Sequence, residues 1–125
     1  MTTRALKYLF DIQRACDRIA DHVRATLTFS AYEADLKTRD AVERQLGIVG
    51  EAVNQYRREH DSPPLTDAAA IVQLRNLLIH AYDSVDQPQI WQLVQRHVPL
   101  LRLEVARLLA AETDGGAALP PLPGR

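Results

Sequence analysis

The sequence predicts an all-α protein, an up-down bundle of four main helices joined by short loops. Three observations lead there. Apolar residues recur at spacings of three and four through every long segment. These segments break where turn formers gather, at Asp61-Ser62-Pro63-Pro64 and at Asp86-Gln87-Pro88. No stretch alternates apolar and polar residues at the period of a strand, and no internal repeat or second domain is visible.

The first helix is expected over residues 4–26, where Leu6, Leu9, Ile12, Cys16, Ile19 and Val23 form one stripe. Ser30-Ala31-Tyr32-Glu33 has the form of a capping box and predicts a short element. Thr38 is a possible start for the second main helix, which carries Val42, Leu46, Val49, Val53 and Tyr56 in a heptad and should end near His60. Thr66 and Asp67 can cap a third helix over residues 68–82. Asp86 and Pro88 mark the start of the fourth, whose stripe runs from Ile90 through Val94, Val98, Leu101 and Val105 to Leu108. Pro99 falls inside that stripe, so the fourth helix should be kinked near it. Residues 1–112 thus form one helical domain. Residues 113–125, with Gly115-Gly116 and three prolines, have too little apolar surface to pack and are expected to be a flexible tail.

Composition narrows the function classes. A chain of 125 residues can bury a real core without cross-links. Acidic and basic residues nearly cancel, for a formal net charge of -1, which argues against a general nucleic-acid or membrane-surface binder while leaving room for a local basic cleft. The single Cys16 has no partner for an intramolecular disulfide and sits on an apolar stripe, so it should be a buried small hydrophobe in a reducing compartment. No leader-like N-terminus and no apolar run of membrane-spanning length is seen, so the expected location is the cytoplasm. His22, His60 and His97 lack zinc-site spacing and are read as surface residues; no metal or other cofactor is expected.

The stretch that carries chemistry is Arg75-Asn76-Leu77-Leu78-Ile79-His80-Ala81-Tyr82. It sets an arginine, an amide, an imidazole and a phenol into an otherwise apolar helix, where such groups need partners or a task. Arginine can hold a phosphate through charge-assisted hydrogen bonds, and histidine titrates near neutral pH. Arg75 and Tyr82 are seven residues apart and nearly share a face, whereas Arg75 and His80 differ by about 140° around an ideal helix. Two groups so placed do not converge on one phosphate from one straight helix. Either Arg75 reaches round, or two copies of the helix combine across a two-fold dimer.

The ordered set of motifs resembles the HEPN superfamily and, within it, the HepT-like toxins. Ile48-Val49-Gly50-Glu51-Ala52 is similar to the family's "iGEA" run, and Leu74 to Tyr82 to its "RN-liH-Y" helix. Val85-Asp86 with Ile90-Trp91 resembles the entry to its next helix, and Pro99-Leu100 its "lp-L" step. The similarity spans roughly residues 5–110. It implies a homodimer, with further assembly open, and a metal-independent endoribonuclease acting as the toxin of a toxin–antitoxin pair. RNA would be the substrate and an MntA-like nucleotidyltransferase the antitoxin, transferring AMP from ATP to the motif tyrosine, here Tyr82. Arg75 and His80 would be the catalytic pair, with Asn76 and Glu51 orienting them or the substrate.

Plainer readings of the same residues stand beside these. Arg75 and His80 suit a surface or interface pair, Tyr82 a half-buried packing residue, and Glu51 an ion pair across the bundle, with Arg75 as a candidate partner. Gly47 and Gly50 fit close helix approach better than phosphate binding, since no strand precedes them. Arg14, Arg18, Arg57 and Arg58 fit a solvated face better than an RNA-facing patch. At the level of the whole chain, the alternative to a ribonuclease is a non-catalytic nucleotide- or partner-binding subunit of a nucleotidyltransferase complex.

Overall fold

A computed structural model of the chain describes residues 1–80 and 86–114, leaving aside the side chains of Leu77, Ile79, His80, Thr113 and Asp114. Every regular element among them is helical: α1 (Thr3–Val23), α2 (Phe29–Ala34), α3 (Leu36–Arg57), α4 (Ala68–His80), α5 (Gln87–Gln92) and α6 (Val98–Asp114), with a π-helical turn at Leu93–His97 joining the last two. Because α5, the π turn and α6 follow without a break, the described residues form four main helices, as the sequence predicts, plus the short α2. Among the described residues no helix is long and apolar enough to cross a membrane.

The helix ends show how local chemistry fixes the elements. Thr2 caps α1 by accepting from the Ala5 N–H at 2.9 Å, while its hydroxyl donates to Glu59 Oε1 at 2.9 Å and ties this end to the far end of α3. α1 stops at Val23, short of the expected Thr26, because Thr26 turns back and donates both its N–H and its hydroxyl to the Val23 carbonyl. The cap of α2 is Thr28 and not Ser30, and that of α3 is Asp35, so α3 starts at Leu36 before the expected Thr38. Asp35 accepts from the Thr38 N–H at 3.1 Å and from its hydroxyl at 2.7 Å. α3 closes at Arg57, where Ser62 donates to the carbonyls of Tyr56 and Glu59 across a turn in which Asp61 takes a φ of 56°.

At the start of α4 the expected side-chain caps are engaged elsewhere. Thr66 gives its N–H and hydroxyl to Glu104 of α6, and the Asp67 carboxylate meets His97 Nδ1 at 2.8 Å. His97 is therefore half-buried and paired, not a surface residue. Asp86 caps α5 as predicted. The expected interruption near Pro99 takes the form of the π turn, in which the Val98 N–H reaches back five residues to the Leu93 carbonyl. Proline lacks an N–H and its ring crowds the carbonyl four residues back, so a wider turn beside it relieves both problems. α6 continues to Asp114, two residues past the expected end of the domain at 112. The rest of the expected tail lies outside the described residues, as do residues 81–85.

α1 packs chiefly on α3 and α6, α3 also on α4, and α2 bridges α3 and α5. The core lies along these seams and includes Leu9, Ile12, Ile19, Val42, Val49, Val53, Tyr56, Ile90 and Val105, all fully or almost fully buried. Cys16 belongs to it, and burial pushes its thiol up to about 12, as befits an inert core residue. Tyr32 is the largest surprise. It is fully buried against the Trp91 ring, with centroids 5.1 Å apart, yet its hydroxyl has no partner among the described residues. Burial, helped by nearby Glu43, pushes that phenol up to about 12.

Candidate functional site

Arg75 lies on the face of α4 that packs against α3, with about a quarter of its side chain exposed. The two helices meet closely here. A Cβ built on Gly50 would sit 2.2 Å from the Arg75 Cβ and 2.8 Å from its Cγ, so only glycine fits. One residue on, Glu51 Oε2 meets Arg75 Nη2 at 2.6 Å, so the ion pair weighed from sequence is present. The other oxygen of Glu51 accepts from Gln55 Nε2 at 3.0 Å. On the far side of the guanidinium, Arg75 Nη1 donates to Asn76 Oδ1 at 2.9 Å. Gln55, Glu51, Arg75 and Asn76 therefore form one chain of polar contacts from α3 to α4.

Its value lies in position more than stability. The Glu51 side chain is 46% exposed although its Oε2 is itself covered, and an ion pair with this much access to water contributes at most about 1 kcal/mol. What the chain does is hold a planar guanidinium at a fixed angle, with no further partner on its remaining N–H groups among the described residues. Sequence alone does not mark Gln55. Its spacing of four from Glu51 on a helix is the signal that could have found it.

His80 is the last residue of α4, one turn beyond Asn76, and its side chain lies outside the described residues, as does Tyr82 altogether. Of the five candidate residues, the structure brings together Glu51, Arg75 and Asn76.

The Arg75 guanidinium opens onto a cleft of about 740 Å³ bounded by α1, α3 and α4. Its lining is both charged and apolar: Lys7 with Asp11 from α1, Glu43, Arg44 and Ile48 from α3, and Leu78 from α4. Lys7 is held by Asp11 at 2.9 Å, and Glu43 accepts from Gln87 of α5 at 3.0 Å. Gly47 forms part of the floor and, unlike Gly50, has open space where a Cβ would go. The expectation of close approach thus holds for Gly50 and fails for Gly47. An arginine poised at such a cleft can neutralise a phosphate, and an imidazole carried on the same helix can move a proton.

Known proteins are similar to this chain along most of its length. The family model described as "Ribonuclease HepT-like" matches residues 12–108. A relative in Thermococcus cleftensis, described as a probable ribonuclease HepT, is 35% identical over 105 residues, covering 81% of this chain and 92% of its own. A relative in Methanocaldococcus jannaschii is 30% identical over 110 residues (84% and 97% of the two chains), and one in Caldanaerobacter subterraneus is 29% identical over 109 (84% and 94%); both carry provisional RNase names. No solved structure gives a significant match.

Proposed function

The chain belongs to the HepT-like ribonuclease family of the HEPN superfamily, and from that premise we propose that it is a metal-independent endoribonuclease whose catalytic pair is Arg75 and His80. The observation that carries the reading is the clamped guanidinium. Arg75 is fixed by Glu51 at 2.6 Å and Asn76 at 2.9 Å, at the mouth of a cleft, on the helix that ends in His80. Preorganised positive charge aimed at a phosphoryl group is the largest lever an enzyme has on such a reaction.

One His80 takes the proton of the ribose 2′-OH as that oxygen attacks the adjacent phosphorus, and the bond to the leaving 5′-oxygen breaks as a second imidazole supplies its proton. Arg75 stabilises the charge that builds on the phosphoryl oxygens. Glu51 and Asn76 orient Arg75 from either side. The products are a 2′,3′-cyclic phosphate and a 5′-OH. The angle of about 140° between Arg75 and His80 on one helix favours a site shared by two copies of α4 in a homodimer. In this reading the protein is a toxin, and its antitoxin is a nucleotidyltransferase that moves AMP from ATP to the Tyr82 oxygen with release of pyrophosphate.

The test is cleavage of total RNA by the purified chain, with and without EDTA, beside a folded His80→Ala variant. Cleavage that survives EDTA, leaves 5′-OH ends and disappears in the variant is expected. 5′-phosphate ends, or loss of activity in EDTA, would overturn the mechanism. Mixing inactive His80→Ala chains with inactive Arg75→Ala chains should restore part of the activity if the site is shared, and none if each chain acts alone.

A further inference from the structure

The lining of the Arg75 cleft is balanced in sign, but its charges are not equally engaged. Asp11 holds Lys7, Glu51 holds Arg75, and Glu43 accepts from Gln87. Arg44 is exposed, and no carboxylate approaches it closely enough to pair among the described residues. It therefore presents to the same cleft a guanidinium whose donors no other described residue claims. Arg44, Ile48 and Glu51 follow one another at spacings of four and three along α3. They share one face, which places Arg44 about 10 Å along the helix from the residue that holds Arg75. Between the two cations the floor is apolar and low. Gly47 contributes no side chain, Ile48 is 36% exposed, and the half-buried Tyr8 ring lines the wall from α1.

We propose that this cleft is the path of a single RNA strand, with Arg44 binding a backbone phosphate flanking the one that Arg75 holds. The inference rests on the ribonuclease reading and adds to it a second anchoring residue and a substrate class. Two cations separated by an apolar floor match the alternation of phosphate with sugar and base in an extended strand. A cleft of about 740 Å³ suits a nucleotide or two and is far too small for a duplex. Because Arg44 meets a phosphate that does not react, it contributes to binding in the ground and transition states alike, so its loss should raise KM and spare kcat.

The experiment measures binding of a fluorescently labelled single-stranded RNA to the full-length His80→Ala protein across a range of salt concentrations. Each phosphate neutralised on a single strand contributes about 0.7 to the slope of log affinity against log salt. Adding Arg44→Ala should reduce that slope by about 0.7 and weaken binding roughly tenfold at low salt, whereas Arg44→Lys should keep the slope. Arg96→Ala, an exposed arginine outside the cleft lining, should leave it unchanged. In the His80 protein, Arg44→Ala should raise KM for single-stranded RNA about tenfold at constant kcat. If the His80→Ala protein binds RNA and the natural chain cuts it, while Arg44→Ala keeps the full slope in the one and the KM in the other, this path is wrong and the ribonuclease assignment stands. If the His80→Ala protein does not bind RNA and the natural chain does not cut it, both fall together.

Discussion

A methyl group at position 50 would lie 2.2 Å from the first carbon of the Arg75 side chain, an atom that cannot swing away as a flexible tip would. Gly50→Ala must therefore push α3 and α4 apart. Overpacking of this kind costs about 1–3 kcal/mol, more than the 0.5–1 kcal/mol that alanine gains over glycine in a helix. Gly47→Ala, with nothing near its new methyl, keeps only the helix gain and should stabilise by about 0.5–1 kcal/mol. Opposite shifts of the two urea midpoints would confirm this, and a neutral Gly50→Ala would show that the α3–α4 contact is looser than described. The Gly50→Ala protein should also lose RNA cleavage at temperatures where it stays folded, since Arg75 shifts with the helix that bears it. At this scale the sequence is a good guide to partners but a poor one to geometry. A carboxylate in the middle of a heptad helix needs a cation, and Arg75 was the candidate. That Asn76 would turn to Arg75 depends on which rotamer the close packing leaves open, and no residue string encodes that.

Among elements, helix identity follows from period, while the ends depend on which of several capping residues the tertiary fold selects. Thr28, Ser30, Asp35 and Thr38 are all competent caps. The choice goes to Thr28 and Asp35 because α2 must carry Tyr32 into the core beside Trp91. Asp35 gives this selection a signature in pH. The hydrogen bond from the Thr38 hydroxyl, followed by that from its N–H, holds the Asp35 carboxyl below the ordinary carboxylate range. A carboxyl lowered by folding binds fewer protons in the native state, so its contribution is complete above the ordinary range and is lost as pH falls through the lowered value. The difference in Tm between the natural chain and Asp35→Ala should therefore be largest at neutral pH and shrink in acid; a difference that is flat with pH would mean that the ionised carboxylate caps no better than the neutral acid. The π turn before Pro99 was legible as an interruption but not in kind. The pairing of His97 with Asp67, thirty residues away, was not legible at all, because spacing rules detect metal sites and neighbours on one helix, not cross-bundle partners.

For the whole molecule, apolar period alone sets the helix number and most of the core, whereas the assembly is pinned by polar ties of long sequence separation. Thr2 to Glu59, Thr66 to Glu104 and Arg102 to Asp17 (2.7 Å) each join elements that no local pattern links. All are partly open to solvent and contribute little energy apiece, so they select the arrangement while the core stabilises it. One feature of that core makes the chain a reporter on itself. Cys16, the lone thiol, is shielded completely between α1 and the helices it packs on, and its raised pKa suppresses the reactive thiolate. A thiol-directed dye can reach it only when the bundle opens, so its labelling acts as a clock for that opening. With dye in excess, the rate should plateau at the opening rate once modification outruns reclosing. Comparing the plateau with the global unfolding rate then distinguishes two motions. Equal rates mean the four helices come apart as one cooperative body, and a faster plateau means that the packing of α1 on α3 and α6 around Cys16 opens locally before the whole bundle does.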